Sequence, residues 1–509
     1  MKRTMAILFL FLLVNAARSQ APAAARPAIL LEEWSKTPVL HSLDGKYAKE
    51  SAVILLDKRR MEYVDGAQNE VMLYRTLHRI VRVNDDKGIE SFNRIYLGVT
   101  DNSDIVDIRA RTILPGGKVI EVDKQNIKDL KEEDGHMYKI FAMEGLEKGA
   151  ELEYYYTYKR EASYFGRELV QGAFPVLDAH LQILGPERLL FEMKGYNCPI
   201  SVEDTVLGGK RFCSTGLRDI PSAEKEKYAA YEANLERVEY KLSHNTAIGK
   251  GNERLFTWNE LAKRIYGNYS SFSEKELKRT QELIESKGWN KLGTDKEKII
   301  AVEGYLKKNF ATREDIDASN AANIEMIIKN RIASHRGILR LYGALFEKLG
   351  VEHQYVLTCD RSENAIDRSF ENWNNTTDFL IYFPATKKFM APTLLETRYP
   401  WINPYWGAHD ALFCKGTTIG NFTTAIADVR VVPLEDYTQS YNKIESRLKL
   451  NAGLDTLLRR APATLRPSIG FQPVQDAYKT RRIDLGDLRE ARLADTLVFR
   501  EQDQRFALC

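Results

Sequence analysis

The feature that most constrains this chain is a change of pattern near Thr257. Before it, β-prone runs alternate with turn signals; after it, three helix-start signals follow in quick succession. Thr257-Trp258-Asn259-Glu260, Ser273-Glu274-Lys275-Glu276 and Thr294-Asp295-Lys296-Glu297 all read as capping boxes, a hydroxyl residue followed three positions later by Glu. Trp258, Leu261, Ala262, Ile265 and Tyr266 then recur at helical spacing, as do Ile299, Val302 and Leu306. A fourth helix begins at Ser334 as N-cap, buries Ile338, Leu341, Tyr342, Leu345 and Leu349, and stops at Gly350. Strands are expected at Gln354–Thr358, Phe379–Phe383 and Lys388–Met390. Helices, a central helix and then strands make an α+β domain.

The part before Thr257 reads differently. Ala52–Leu56, Glu70–Val83, Ile105–Leu114, Val119–Val122, Glu151–Tyr158, Leu189–Met193 and the Gly208-Gly209 hairpin all look like short strands. Asp85-Asp86-Lys87-Gly88 and Pro115-Gly116-Gly117 read as turns. The expectation is an antiparallel, β-rich, sandwich-like N-terminal domain, and a multi-domain α+β chain as a whole. At 509 residues the chain has room for about three domains. The divisions expected are a signal peptide at 1–19, the β-rich domain at 20–246, the α+β domain at 247–435 and a tail at 436–509, poorly ordered or atypical. That tail carries nine arginines and one lysine from Asn451 onward, against 35 lysines and 29 arginines before it. The shift fits either a genuine end or a frame-shifted one.

Lys2 and Arg3, the apolar run Met5–Val14 and the small residues Ala17 and Ser19 have the order of a secretory signal. Ten apolar residues are too few to span a bilayer, and no later stretch is long enough, so an exported protein of the periplasm or cell surface is expected, with no membrane span. Net charge is +3 with basic residues dispersed, which argues against a nucleic-acid partner. The five cysteines lack zinc spacing; one Cys198–Cys213 disulfide is an open option.

Three stretches resemble a known family. Arg111-Thr112-Ile113-Leu114-Pro115-Gly116-Gly117-Lys118 looks like a strand–Pro-Asp-Gly-Lys–strand hairpin with Gly116 in place of the Asp. Phe141–Tyr154 looks like an apolar–Gly–acidic–Tyr strand. Ala333–Gly350 followed by Phe379–Thr393 looks like a catalytic core. Together, over roughly residues 45–430, they resemble the transglutaminase-like superfamily, which has a papain-like fold, in its exported bacterial form with a β-rich N-terminal domain of unknown function. That resemblance implies a cysteine at the start of the central helix, a histidine before the next strand and an aspartate in an Asp-Pro-Thr motif after it, a nucleophile, base and orienter. Here the three positions read His335, Asp378 and Ala391, and the acidic position two after the cysteine reads Gly337. The resemblance therefore implies the fold without its chemistry: a non-catalytic binding or scaffold module for a protein or glycan of the cell envelope, needing no cofactor or metal. It also implies that His335 and Asp378 approach within about 3–5 Å.

The competing expectation is an active thiol-dependent acyl transferase or peptidase with a relocated nucleophile at Cys359 or Cys414, the latter in a loop-like segment after His409. For binding, Tyr399, Trp401, Tyr405 and Trp406 crowd a short Pro-containing segment and could form an exposed aromatic platform, or pack.

Overall fold

The structure, a computed structural model, describes residues 29–434 apart from 67–69, 98–103, 132–136, 228, 314–317 and 421, together with five short strands further on. The chain is a multi-domain α+β protein, rich in β-structure. In chain order its first part comprises β1 (Ala52–Asp65), β2 (Val71–Val83), α1 (Asp86–Phe92), β3 (Arg94–Leu97), β4 (Asp104–Ile113), β5 (Val119–Glu121), β6 (Lys128–Lys131), β7 (Met137–Ala142), β8 (Glu151–Glu161), β9 (Phe165–Leu169), β10 (Val176–Pro186), β11 (Leu189–Tyr196), β12 (Glu203–Leu207), β13 (Lys210–Ile220), α2 (Tyr231–Asn234) and β14 (Arg237–Asn245).

Eight of these strands form one sheet in the order β12-β13-β10-β1-β2-β8-β4-β5. Every pairing in it is antiparallel except β1 with β10, which run parallel with Ile54 opposite Val176. Two smaller sheets, β11-β14-β9 and β3-β7-β6, supply Phe191, Val238, Tyr240, Ile95 and Phe141 to the same core as Leu152 and Tyr154 of β8. Alternation along β8 sends Glu151, Glu153 and Tyr155 to the opposite face. There residues 29–42 lie across the sheet as a strap. Glu32 accepts from Arg60 (2.7 Å), Lys58 (2.8 Å) and His78 Nδ1 (3.0 Å), while His78 Nε2 meets Glu153 at 2.9 Å. Trp34 lies against the Arg111 guanidinium, and His41 bonds Glu151.

Two local expectations are corrected. β1 does not end at Leu56 but continues through Asp57-Lys58-Arg59-Arg60, because each of these charges finds an ionic partner: Asp57 pairs with Arg59 and Arg79, and Arg59 with Glu168. Asp85–Gly88 is not a turn but the start of α1, where Asp85 Oδ1 caps the Gly88 N–H at 2.9 Å. Cys198 and Cys213 are both free thiols.

The second part comprises α3 (Trp258–Tyr269), α4 (Glu274–Lys287), α5 (Asp295–Asn309), β15 (Ala311–Thr312), α6 (Ala318–Ala321), α7 (Ile324–Asn330), β16 (Ile332–Ala333), α8 (His335–Lys348), β17 (Gln354–Thr358), β18 (Asp378–Phe383), β19 (Lys388–Met390), β20 (Asp410–Ile419) and β21 (Phe422–Val431). Ser273 and Thr294 form the expected reciprocal capping boxes with Glu276 and Glu297. Thr257 caps α3 through the Glu260 N–H, but the Glu260 carboxylate turns to the Phe256 N–H instead. The sheet order is β19-β18-β17-β20-β21, all antiparallel. α8 is buried from Gly337 to Phe346, between the other helices and this sheet. Gly343 is required there: a Cβ would meet the Tyr355 hydroxyl at 2.0 Å.

Beyond Leu434 the described strands are β22 (Tyr441–Ile444), β23 (Arg447–Leu450), β24 (Thr456–Arg460), β25 (Ala463–Arg466) and β26 (Arg481–Asp484), paired β22-β25 and β23-β24-β26. The rest of the tail and the segment read as an export signal lie outside the described residues. No helix among the described residues is long and apolar enough to cross a membrane.

Candidate functional site

The start of α8 is the natural place for a site in this arrangement, since a helix N-terminus presents unpaired N–H groups. Ser334 takes one of them, its Oγ accepting from Gly337 N at 3.1 Å. His335 is the first helical residue and is exposed. Ala321 crowds the turn: its carbonyl accepts from Ser334 N at 3.1 Å, and a Cβ on Gly337 would come within 1.9 Å of the same oxygen. An acidic side chain two residues after His335 is therefore excluded by packing.

Asp378 takes other neighbours than the expected His335. Among the described residues no hydrogen bond or ion pair joins them. Asp378 accepts instead from Thr377 Oγ1 at 2.6 Å, and burial together with the nearby Asp360 charge raises its carboxyl above the usual range. Strand alternation is the physical reason. Asp378 stands opposite Thr358 and shares a face with Leu380, on the side of the sheet packed by Trp406 and Ile402. The residues that face α8 are Phe379, Ile381 and Phe383. Ala391 is buried in that same far-side cluster, not beside α8. Sequence spacing placed the three positions in order but missed which face each would take.

The thiols are no better placed. Cys359 is fully buried, and burial, with the charges of Asp378 and Asp360, pushes it up to about 12. Cys414 does not lie in a loop but within β20, opposite Tyr355, and burial raises it further still. Among the described residues neither thiol bonds an imidazole. His409, the nearest histidine in sequence to Cys414, turns Nε2 to the Cys359 carbonyl (3.0 Å) and Nδ1 to the Asp410 carbonyl (2.8 Å), and burial lowers its pKa. His353 is bonded to the Val351 carbonyl and enclosed by Phe346 and Tyr355. A relocated cysteine–histidine pair is thus absent from the described residues, and so is any group of three His, Cys, Asp or Glu suited to a metal.

The aromatic segment packs for the most part. Tyr399 sits edge-on to Phe383, and its N–H donates to Glu303 Oε2 at 2.7 Å; Glu303 in turn holds the buried Lys307. Trp406 is buried under the sheet, Trp401 is half-buried, and only Tyr405 is exposed, at 38%. The platform reading is corrected: an exposed row would need the rings that the core has taken.

A polar cleft of about 620 Å³ opens beside α8, lined among others by Asn268, Ser271, Glu276, Asn323, Arg336 and Arg340. Arg340 is saturated. It pairs with Glu276 (3.0 and 3.2 Å) and donates to the carbonyls of Asn268, Ser271 and Ala322. Burial opposes the Glu276 charge, but N–H groups of Ser273 and Ile324 and the Arg340 guanidinium hold its carboxyl below the usual range. Arg336, one turn before Arg340, is exposed and makes no ion pair among the described residues. The cleft therefore offers one uncompensated guanidinium among amides and hydroxyls. The sequence signal was the Arg-x-x-x-Arg spacing in a helix whose other face is apolar, and it was not read.

Comparison with known proteins adds fold and little chemistry. The model of a domain of unknown function with a solved structure, DUF3857, matches residues 72–224, within the first part. A search of curated proteins finds no match. Among solved structures, a Parabacteroides distasonis ATCC 8503 protein provisionally named a protease is similar with a TM-score of 0.53 at 13% identity, over 80% of this chain and 79% of that one. At that identity the likeness shows a shared fold alone. An M1 zinc metallopeptidase from Deinococcus radiodurans matches at 10% identity over 37% of this chain and 42% of its own, with a TM-score of 0.23, and carries no argument.

Proposed function

We propose that this chain is an exported transglutaminase-like protein without catalysis, which binds a protein or glycan of the cell envelope through the polar cleft beside α8. In this reading residues 1–19 direct export, 20–246 form the β-rich domain, 247–435 the transglutaminase-like domain, and 436–509 a C-terminal tail. One observation carries it: the central helix begins with His335 rather than a cysteine, while the two thiols of the same core are buried and, among the described residues, neither bonds an imidazole. A thiol held near 12 is almost wholly protonated at neutral pH and is a poor nucleophile. The helices–central helix–strands order and the fold shared with a protease-named structure support the superfamily. Arg336 supports a ligand that presents a carboxylate, phosphate or polar oxygen.

The test is twofold. The mature protein should show no amidase, peptidase or crosslinking activity, and His335→Cys should not create any, since the base position holds Asp378, which cannot act as an imidazole base. Turnover abolished by Cys359→Ser or Cys414→Ser would overturn the reading. A pull-down from envelope extract should recover a partner that Arg336→Glu loses, and identical recovery by both forms would remove the cleft from the proposal.

A further inference from the structure

The loop between β17 and β18, residues 360–377, starts beside Cys359 and ends at Asp378. It is gripped from outside its own sheet. On β14, alternation sends Val238, Tyr240 and Leu242 into the first core, and Arg237, Glu239 and Lys241 to the other face. Glu239 is fully buried. Its Oε2 accepts from Asn372 Nδ2 and Asn375 Nδ2, both at 2.8 Å, and its Oε1 from Arg237 Nε at 3.0 Å. Lys241, also fully buried, donates to Glu371 at 2.9 Å, and Glu371 further accepts from Arg254 and from the Trp258 N–H. On β11, Tyr196 donates to Asp367 at 2.9 Å, and Lys194 pairs with the same carboxylate. Trp373 supplies the apolar anchor, stacked on Phe165 of β9, edge-on to Phe256 and covered by Arg264.

A carboxylate and an ammonium without access to water are strongly unfavourable unless partnered. Apart from Arg237 on the same strand, the partners of Glu239 and Lys241 come from about 130 residues further along the chain, and none of those belongs to the first core. That face of β9-β14-β11 is thus built for one loop. Glu239 also lies close enough to the strand end for its charge to act on Cys359, after burial and the charges of Asp378 and Asp360.

We infer that Glu239 and Lys241 are positioning residues: through them the small N-terminal sheet docks the 360–377 loop and fixes the start of β18 at Asp378. The first part is then a wall of the second rather than a separate module on a tether. The geometry stands alone, while its weight for ligand capture rests on the reading proposed above. The readout is therefore amide exchange, which reports the loop whether or not anything binds.

The test is hydrogen–deuterium exchange on the full-length protein. Glu239→Ala should speed exchange across 360–377 by roughly tenfold or more, with 52–65 and 335–348 unchanged. Glu239→Gln, whose one carbonyl oxygen can still accept from the two Asn amides but which loses the acceptor for Arg237, should fall between. Unchanged protection of 360–377 in Glu239→Ala would overturn the inference. So would an equal loss in 52–65 and 335–348, because that would mark Glu239 as a general stability residue.

Discussion

The large β-sheet and the α8 core bury different chemistry. Around the sheet, Glu32, Asp57, Arg60, His78, Arg111, Glu153 and Glu168 are all buried, and ion pairs run along both faces. Around α8 the interior is Leu, Ile, Tyr and Phe, interrupted by Glu276–Arg340 and Glu303–Lys307. A helix sealed on all sides needs only apolar neighbours. A sheet of eight strands presents more surface than two small sheets can cover, and here the remainder is closed by a strap whose contacts are largely ionic, with Trp34 packed on Tyr155. Apolar packing tolerates changes of pH; an ionic closure does not. The two parts should therefore fail under different insults.

Truncating Phe346 to Ala should give the largest effect. Phe346 is fully buried and packs on Phe383, so the cavity should cost about 3–5 kcal/mol. In urea unfolding this should lower the transition of the α8 core by the same amount at pH 5 and pH 8. A pH-dependent loss would break the comparison from one side.

Glu32→Ala should come next. It leaves Arg60 buried with a lost ionic partner and removes one of the two carboxylates of His78, for a cost of about 3 kcal/mol. The loss should appear in strands β1, β2 and β8 by amide exchange and leave α8 untouched. Equal loosening of α8 would show that the two parts share one cooperative unit.

The pH profile of the unaltered protein should show the smallest effect. Burial opposes the Glu32 charge, but hydrogen bonds from His78 and Lys58 outweigh it and hold its pKa at about 2. A depressed carboxyl stabilises above its usual value near 4.5, and that contribution fades as pH falls through about 2. Burial also opposes the His78 charge, but Glu153 and Glu32 raise its pKa above 6.5. That contribution is complete below 6.5 and is lost as pH rises through the raised value. The first part should therefore be most stable between about pH 4.5 and 6.5 and weaken on both sides. A flat profile in thermal melts followed at Trp34 would remove the ionic strap from the account.

Legibility followed the same division. The helices were readable because capping is local: Ser273 with Glu276 and Thr294 with Glu297 declare their starts within four residues. Strands β17, β18 and β19 were readable from apolar runs with clear ends. The charged half of β1 was not, since Asp57 and Arg59 resemble a loop until Arg79 and Glu168 arrive from other strands. The site was legible only in part, for a related reason. Spacing along the chain located His335, Asp378 and Ala391, but which face of the sheet Asp378 takes depends on its register against Thr358. Whether Tyr399 would stand exposed or pack stayed open, because nothing nearby in sequence announces Phe383 or Glu303 as its partners.

The parallel pairing of β1 with β10 has a consequence in time. The β1–β2 hairpin can form early, but Ile54 meets Val176 only after about 120 further residues are available. Through that interval β1 is an open edge, and an open edge is a template for mispairing with other chains. Asp57, Lys58, Arg59 and Arg60 put charge on both faces of the waiting strand, which discourages a stranger from docking there. The residues that end as buried ion pairs thus begin as gatekeepers, guarding the sheet until its own late strand comes to close it.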